Sequence, residues 1–202
     1  EGKPEQVVFD GASAFRDLVP TPHLLVEGTD GSGLTTYLAR IADTARKEGR
    51  PVMAVLRNQG DQARLFRHIP AGEDYRLVVS PWFDNHYADF AVWHAGVMAE
   101  AKAFAQKPGA VILLDKASPD ISKDPETLAD CREMTEAGAH VVVCGFRFPD
   151  LITPQTSLMA FRCVGGGASI FPLGERQGMQ PGDGILRVPG RADVRVKISP
   201  MD

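Results

Sequence analysis

Cysteine is scarce. The chain has three in 202 residues, Cys131, Cys144 and Cys163, far apart and with no CxxC pair. That spacing argues against a zinc knuckle or a disulfide framework. It reads as reduced, partly buried thiols in a cytosolic compartment. Long hydrophobic runs are missing too. No apolar stretch approaches the ~20 residues that a membrane-spanning helix needs, and no secretory leader pattern is visible. Positive charge is not in excess: 22 Lys and Arg face 26 Asp and Glu, a formal net charge of −4. This balance disfavours a broad nucleic-acid surface while leaving room for a local basic groove. Internal repeats, low-complexity tracts and linkers are also absent from the sequence. One domain over 1–202 is the simplest reading. A chain that begins at Glu1 rather than Met reads as a module of a longer protein.

What remains is the composition of an ordinary globular domain. Hydrophobic residues make up 44 % and charged residues 24 %, and the length allows a sizeable core. The 20 glycines and 15 prolines make it loop-rich, most of all in the last third. Apolar runs at 7–9, 23–28, 51–56, 75–80, 109–115 and 140–146 read as strands, several of them buried on both faces. Between them, helical spacing predicts helices over 34–48, 61–68, 87–106 and 125–137, with Gly49 ending the first and Ser122 or Asp124 capping the last. Short strands are expected near 159–164, 184–188 and 193–198. Alternating strands and helices predict a mostly parallel sheet covered on both faces. The strand-and-turn tail predicts an antiparallel extension at the sheet edge.

The first apolar strand runs into "GTDGSGLTT" at 28–36. Glycine-rich turns between a strand and a helix let successive backbone N–H groups point inward and cradle phosphate oxygens at a helix N-terminus. Gly28, Gly31 and Gly33 supply that freedom here, with Thr29, Asp30 and Ser32 between them. A phosphate loop carries lysine at its seventh place and a Mg²⁺-binding hydroxyl next. Here the seventh place is Leu34, followed by Thr35 and Thr36. The lost charged hydrogen bond is worth on the order of 1.5–3 kcal/mol, or one to two orders of magnitude in ATP affinity. Two readings stand: a structural relic, or a loop that still holds phosphate through backbone amides.

"VILLDKAS" at 111–118 is an apolar strand ending in an acid. Asp115 stands where Mg²⁺ is held, usually through water. The next position is Lys116, where a water-polarising glutamate would be expected. Again two readings stand: Lys116 is solvated at the strand end, or it pairs with Asp115 and partly replaces the missing cation.

Taken together, these stretches resemble the FtsK/SpoIIIE group of P-loop motor ATPases over nearly the whole chain. "VVFD" followed by "PHLLVEGTDGSG" resembles the family's opening strand and loop, and "VILLDKA" its Walker B strand. "EMTEAGAHVVVCGFRFPDLIT" and "SLMAFRCVGG" resemble the next two strands. "GMQPGDGILRVPGRADVRVKI" resembles the closing segment. The last two stretches are the most family-specific. The resemblance implies a RecA/FtsK-like three-layer P-loop NTPase fold, with ATP and Mg²⁺ as cofactors and Thr35 and Asp115 as metal-side residues. Gly28 to Thr36 would hold the cofactor, and Asp115 and Lys116 take the catalytic places. It implies as partners other ATPase modules of the same or sister chains, and a secreted protein, a peptide or DNA. The location implied is cytoplasmic, at the inner face of the membrane and touching it only through other parts of the machine. The departures fall on the chemistry: Leu34 for lysine, Lys116 for glutamate, Phe146 near the sensor glutamine, and "LRNQG" at 56–60 for a "DPK"-like stretch. They imply a degenerate module with weak or absent hydrolysis, of the kind found in type VII secretion ATPases. "LLVEGTDGSGLTT" is also similar to the loop of thymidylate kinase. That family's "DR" pair is absent, and its pattern has no place for "GDGILRVPG".

Other residues read more plainly. His23 suits packing or capping. His86 and His94 lie eight apart, too far for a helical metal pair. Trp82 and Phe83 suit a core edge or a peptide-docking patch. Arg57, Arg64 and Arg67 lie near the expected nucleotide side, and Arg162 falls in the family-like "AFRC" strand.

Overall fold

The computed structural model describes residues 6–9, 23–28, 32–56, 66–69, 72–80, 87–115, 125–145, 157–161, 171 and 178–198. The strands are β1 (Gln6–Phe9), β2 (His23–Glu27), β3 (Val52–Leu56), β4 (Tyr75–Val79), β5 (Val111–Asp115), β6 (His140–Gly145), β7 (Ser157–Phe161), β8 (Asp183–Arg187) and β9 (Val194–Ile198). The helices are α1 (Leu34–Lys47), α2 (Tyr87–Ala105) and α3 (Pro125–Glu136).

All nine strands form one sheet in the order β1-β9-β8-β7-β2-β6-β5-β3-β4. From β7 to β4 every neighbouring pair is parallel. The inner strands are apolar along their length because both of their faces are covered. β3 and β5 are buried at every position. The chain moves outward from β2 to β3 and β4, then reverses to β5 and β6. Crossovers of one hand must switch faces at such a reversal. Accordingly α1 covers one face with Leu34, Tyr37, Leu38 and Ile41, joined there by Phe66 and Ile69. On the other face α2 and α3 contribute Val97, Met98, Ala101, Cys131 and Met134. A Lys102 to Asp130 ion pair of 2.8 Å links these two helices. The architecture is the three-layer α/β fold of P-loop NTPases.

The tail differs in detail from the sequence expectation. β7 belongs to the parallel core, paired with β2. Only β8 runs the other way, antiparallel to both β7 and β9, and β1 closes that edge parallel to β9. Sequence spacing alone carries no sign of strand direction, which depends on the connection that returns the chain. On β8 and β9 alternation is visible: Leu186, Val188, Val196 and Ile198 face the α1 layer, while Arg187, Arg195 and Lys197 occupy the positions between them. At the far end of α1, Gly49 adopts φ +74. Its N–H and that of Arg50 bond back to Arg46 and Ala45. This is the left-handed termination that glycine allows.

Candidate functional site

Among the described residues, those with a chemical role in the sequence reading, Gly28, Ser32, Gly33, Leu34, Thr35, Thr36 and Asp115, lie at the carboxyl end of the parallel strands, where open α/β sheets bind ligands. β2 ends at Glu27, and the Gly28 N–H reaches the Gly145 carbonyl of β6 at 3.3 Å. β6 lies between β2 and β5, and its Cys144 is level with Val26 on one side and Asp115 on the other. Loop and acid are therefore two strand spacings apart, roughly 10 Å.

α1 bridges that gap. The Thr35 hydroxyl donates to Asp115 Oδ2 at 3.2 Å. Asp115 is only 1 % exposed. Its odd-numbered position on β5 turns it toward the α1 layer, as it does Val111 and Leu113. A hydroxyl and a carboxylate are both oxygen donors of the kind that hard cations take.

The glycines have separate tasks. Gly33 is the N-cap of α1 at φ +102, a conformation that costs little only for glycine. Gly33 has no side chain to cap this N-terminus, and no acid lies in the first turn of α1. The first helical bond runs from the Tyr37 N–H to Gly33. The N–H groups of Leu34, Thr35 and Thr36 thus precede the helical ladder and suit an anion. Gly28 is needed for space: a Cβ there would lie 2.6 Å from Ser32 Oγ. Ser32 is 2 % exposed, and its hydroxyl is buried without a hydrogen-bond partner. A buried hydroxyl left unsatisfied is costly, and a phosphate oxygen in the loop would satisfy it.

Leu34 decides the character of the site. It is 4 % exposed and belongs to the core cluster with Leu24, Val26 and Leu38. Its Cγ and Cδ2 lie 3.1 and 3.2 Å from where a Gly28 Cβ would be. The side chain therefore crosses the base of the loop. Packing, not charge, fills the place of the lysine.

The structure brings together Gly28, Ser32, Gly33, Leu34, Thr35, Thr36 and Asp115. Thr29, Asp30, Gly31 and Lys116 lie outside the described residues, as do Arg57, Arg64, Trp82, Phe83, His86, Phe146, Arg162 and Cys163. Arg67 is exposed. His94 is buried and stacks on Phe90, with ring centroids 5.7 Å apart. Two residues near the loop escaped the sequence reading. Glu27 is 3 % exposed and follows Leu25 on the face opposite Asp115. Its signal was a charge ending an apolar strand. Gly182 at the start of β8 donates its N–H to the Ser32 carbonyl at 3.2 Å. No local pattern marked it.

The same fold recurs in solved structures. The cytoplasmic domain of the Thermomonospora curvata type VII secretion ATPase EccC superposes with a TM-score of 0.59 at 16 % identity, over 90 % of this chain and 26 % of that one. The two share a fold. EccC ATPases 2 and 3, in complex with a signal sequence peptide, match at a TM-score of 0.56 and 10 % identity, over 92 % of this chain and 38 % of that one. The genome-packaging NTPase B204 of Sulfolobus turreted icosahedral virus 2, in complex with AMP, matches at 0.59 and 12 % identity, over 90 % and 99 % of the two chains. This chain thus spans about a quarter of the EccC cytoplasmic domain. No family model matches the sequence, and neither does any curated protein.

No helix among the described residues is long and apolar enough to cross a membrane.

Proposed function

We propose that this chain is a degenerate ATPase module of the FtsK/SpoIIIE type. It takes nucleotide phosphates weakly, through backbone amides, and does not turn them over at the rate of a motor. Its role is structural, regulatory or substrate-docking, within a longer protein of a secretion or DNA-translocating machine at the cytoplasmic side of a membrane. Sister ATPase modules are its neighbours, and a secreted protein, a peptide or DNA is the cargo. The signal-sequence peptide on EccC ATPases 2 and 3 supports the secretion version.

One observation carries the reading: Leu34 is built into the core at the place of the loop cation. Phosphoryl transfer relies on charge stabilisation around the moving phosphoryl group. A site with loop amides, Ser32, Thr35 and Asp115, but no cation at position 34, retains binding elements and lacks a main source of that stabilisation. The residues fit a phosphate with Mg²⁺. Ser32 and the first N–H groups of α1 would hold phosphate oxygens, and Thr35 with Asp115 would hold the metal. Bound Mg²⁺ would supply charge neutralisation there. Lys116 remains the candidate for a substitute cation, on its sequence position alone.

Thr35–Asp115 also supports a second reading, an active DNA-stimulated ATPase, since the metal-side pair is intact. The kinase reading is less well supported, because the segment it has no place for forms β8 and contacts the loop. Steady-state phosphate release from Mg-ATP, with and without duplex DNA, separates these readings. The expected result is no turnover above background, with calorimetric ATP affinity in the millimolar range. DNA-stimulated hydrolysis on the order of 1 per second or faster would overturn the proposal.

A further inference from the structure

The closing segment reaches the phosphate loop through one glycine. The Gly182 N–H donates to the Ser32 carbonyl at 3.2 Å, and its own carbonyl accepts from the Ile198 N–H at 2.8 Å. Gly182 sits at φ +83, and a Cβ there would lie 2.9 Å from the Ile198 carbonyl oxygen. The next residue, Asp183, is pinned on both sides. It pairs with Lys197 at 2.8 Å across the β8–β9 hairpin and accepts from the Gln180 N–H at 2.8 Å. Gly182 is thus held by a hairpin built into the sheet, and it holds the last peptide of the glycine loop in turn.

That peptide has two ends. In a trans peptide the carbonyl of one residue and the N–H of the next point in opposite directions. Tying the Ser32 carbonyl to Gly182 turns the Gly33 N–H away from the hairpin. We infer that Gly182 is a positioning residue for the anion cradle. Through the Ser32 carbonyl it aims the Gly33 N–H at the phosphate, so the C-terminal hairpin sets the geometry of the loop. This rests on the proposal that the loop binds phosphate. It gives the hairpin a task beyond closing the sheet edge. With leucine rather than lysine at position 34, donor aim weighs more heavily on affinity.

The test uses the ¹⁵N-labelled chain titrated with inorganic pyrophosphate, following the Gly33 amide resonance. Three proteins are compared: wild type, Gly182→Ala and Gly190→Ala. Gly190 lies in the same hairpin at φ +76 with nothing within 4 Å of an added Cβ. Its variant carries the backbone strain without touching the loop. In wild type and Gly190→Ala, pyrophosphate should shift the Gly33 amide with equal affinity. In Gly182→Ala that resonance should already be displaced without ligand, and binding should weaken at least tenfold. Should Gly182→Ala fail to fold, a backbone ester in place of the Gly182 N–H, introduced by ligation at Cys163, removes the donor alone. The same displacement and loss are expected. A folded Gly182 variant with an unmoved Gly33 amide and wild-type affinity overturns the inference. If pyrophosphate moves no loop amide in wild type, the phosphate-binding proposal fails. The positioning role is then judged on the ligand-free Gly33 resonance alone.

Discussion

Replacing Leu34 by lysine should move stability and nucleotide affinity in opposite directions. Leu34 is almost fully buried in the cluster beneath α1, where a leucine side chain contributes about 1.5–3 kcal/mol. A lysine stem would retain part of that contact while its ammonium reaches outward. The loss is then about 1–2 kcal/mol. A cation at the uncapped N-terminus of α1 costs roughly 0.3–1 kcal/mol more. The ligand-free variant should therefore unfold about 3–12 °C lower than wild type for a chain of this length. With ATP the sign reverses. One charged hydrogen bond to phosphate adds on the order of 1.5–3 kcal/mol, a gain of roughly 10- to 150-fold in affinity. ATP at about one hundred times the variant's Kd would then add about 2.7 kcal/mol and recover the lost stability. Calorimetric titration and thermal unfolding, each with and without Mg-ATP, measure both halves. A variant as stable as wild type would refute the core role of Leu34. A folded variant with no gain in affinity would refute the claim that the loop is shaped for phosphate.

Thr35→Val should remove the Mg²⁺-dependent part of ATP binding and leave the Mg²⁺-free part unchanged, as read by calorimetry. It should also destabilise the ligand-free fold by about 1–2 kcal/mol, because Asp115 loses the hydrogen bond from the Thr35 hydroxyl. Asp183 should make the fold acid-sensitive. Burial alone would raise its pKa, but the Lys197 hydrogen bond and the Gln180 N–H outweigh this and hold it below the usual carboxylate range. Its contribution is therefore present above the unfolded-state value and lost as pH falls through the lower folded one, below about pH 4. Denaturant titrations should show a shallower acid loss in Asp183→Asn than in wild type; equal slopes would remove the ion pair from the account.

The parallel core was legible because burial on both faces writes itself as continuous apolar runs. "VILLD" and "VVVCG" allow little else. Gly49 was legible as a stop signal. Strand direction in the tail was not. β7 and β8 look alike as short apolar runs, and the connection between them, not their composition, makes one parallel and the other antiparallel. The loop was legible as a motif, yet its dependence on Gly182 was hidden. That contact joins residues 150 positions apart through backbone atoms, and the one trace it leaves, a glycine at 182, does not name its partner.

Leu34 joins these points. A core position accepts leucine because it fills space, and a phosphate loop wants lysine there because it carries charge. The structure shows one residue subject to both demands, since the first turn of α1 lies over β2 as well as against the loop. With leucine the packing demand is met in full, and the loop keeps only what backbone geometry supplies: the φ +102 of Gly33 and the space at Gly28. The hydrogen bond between Thr35 and Asp115 does not depend on a cation at position 34, because it joins two oxygen groups of the chain itself in a part-buried place. The Thr35–Asp115 contact is therefore no mark of catalysis by itself, and on the function proposed above the packed Leu34 is what weighs against turnover.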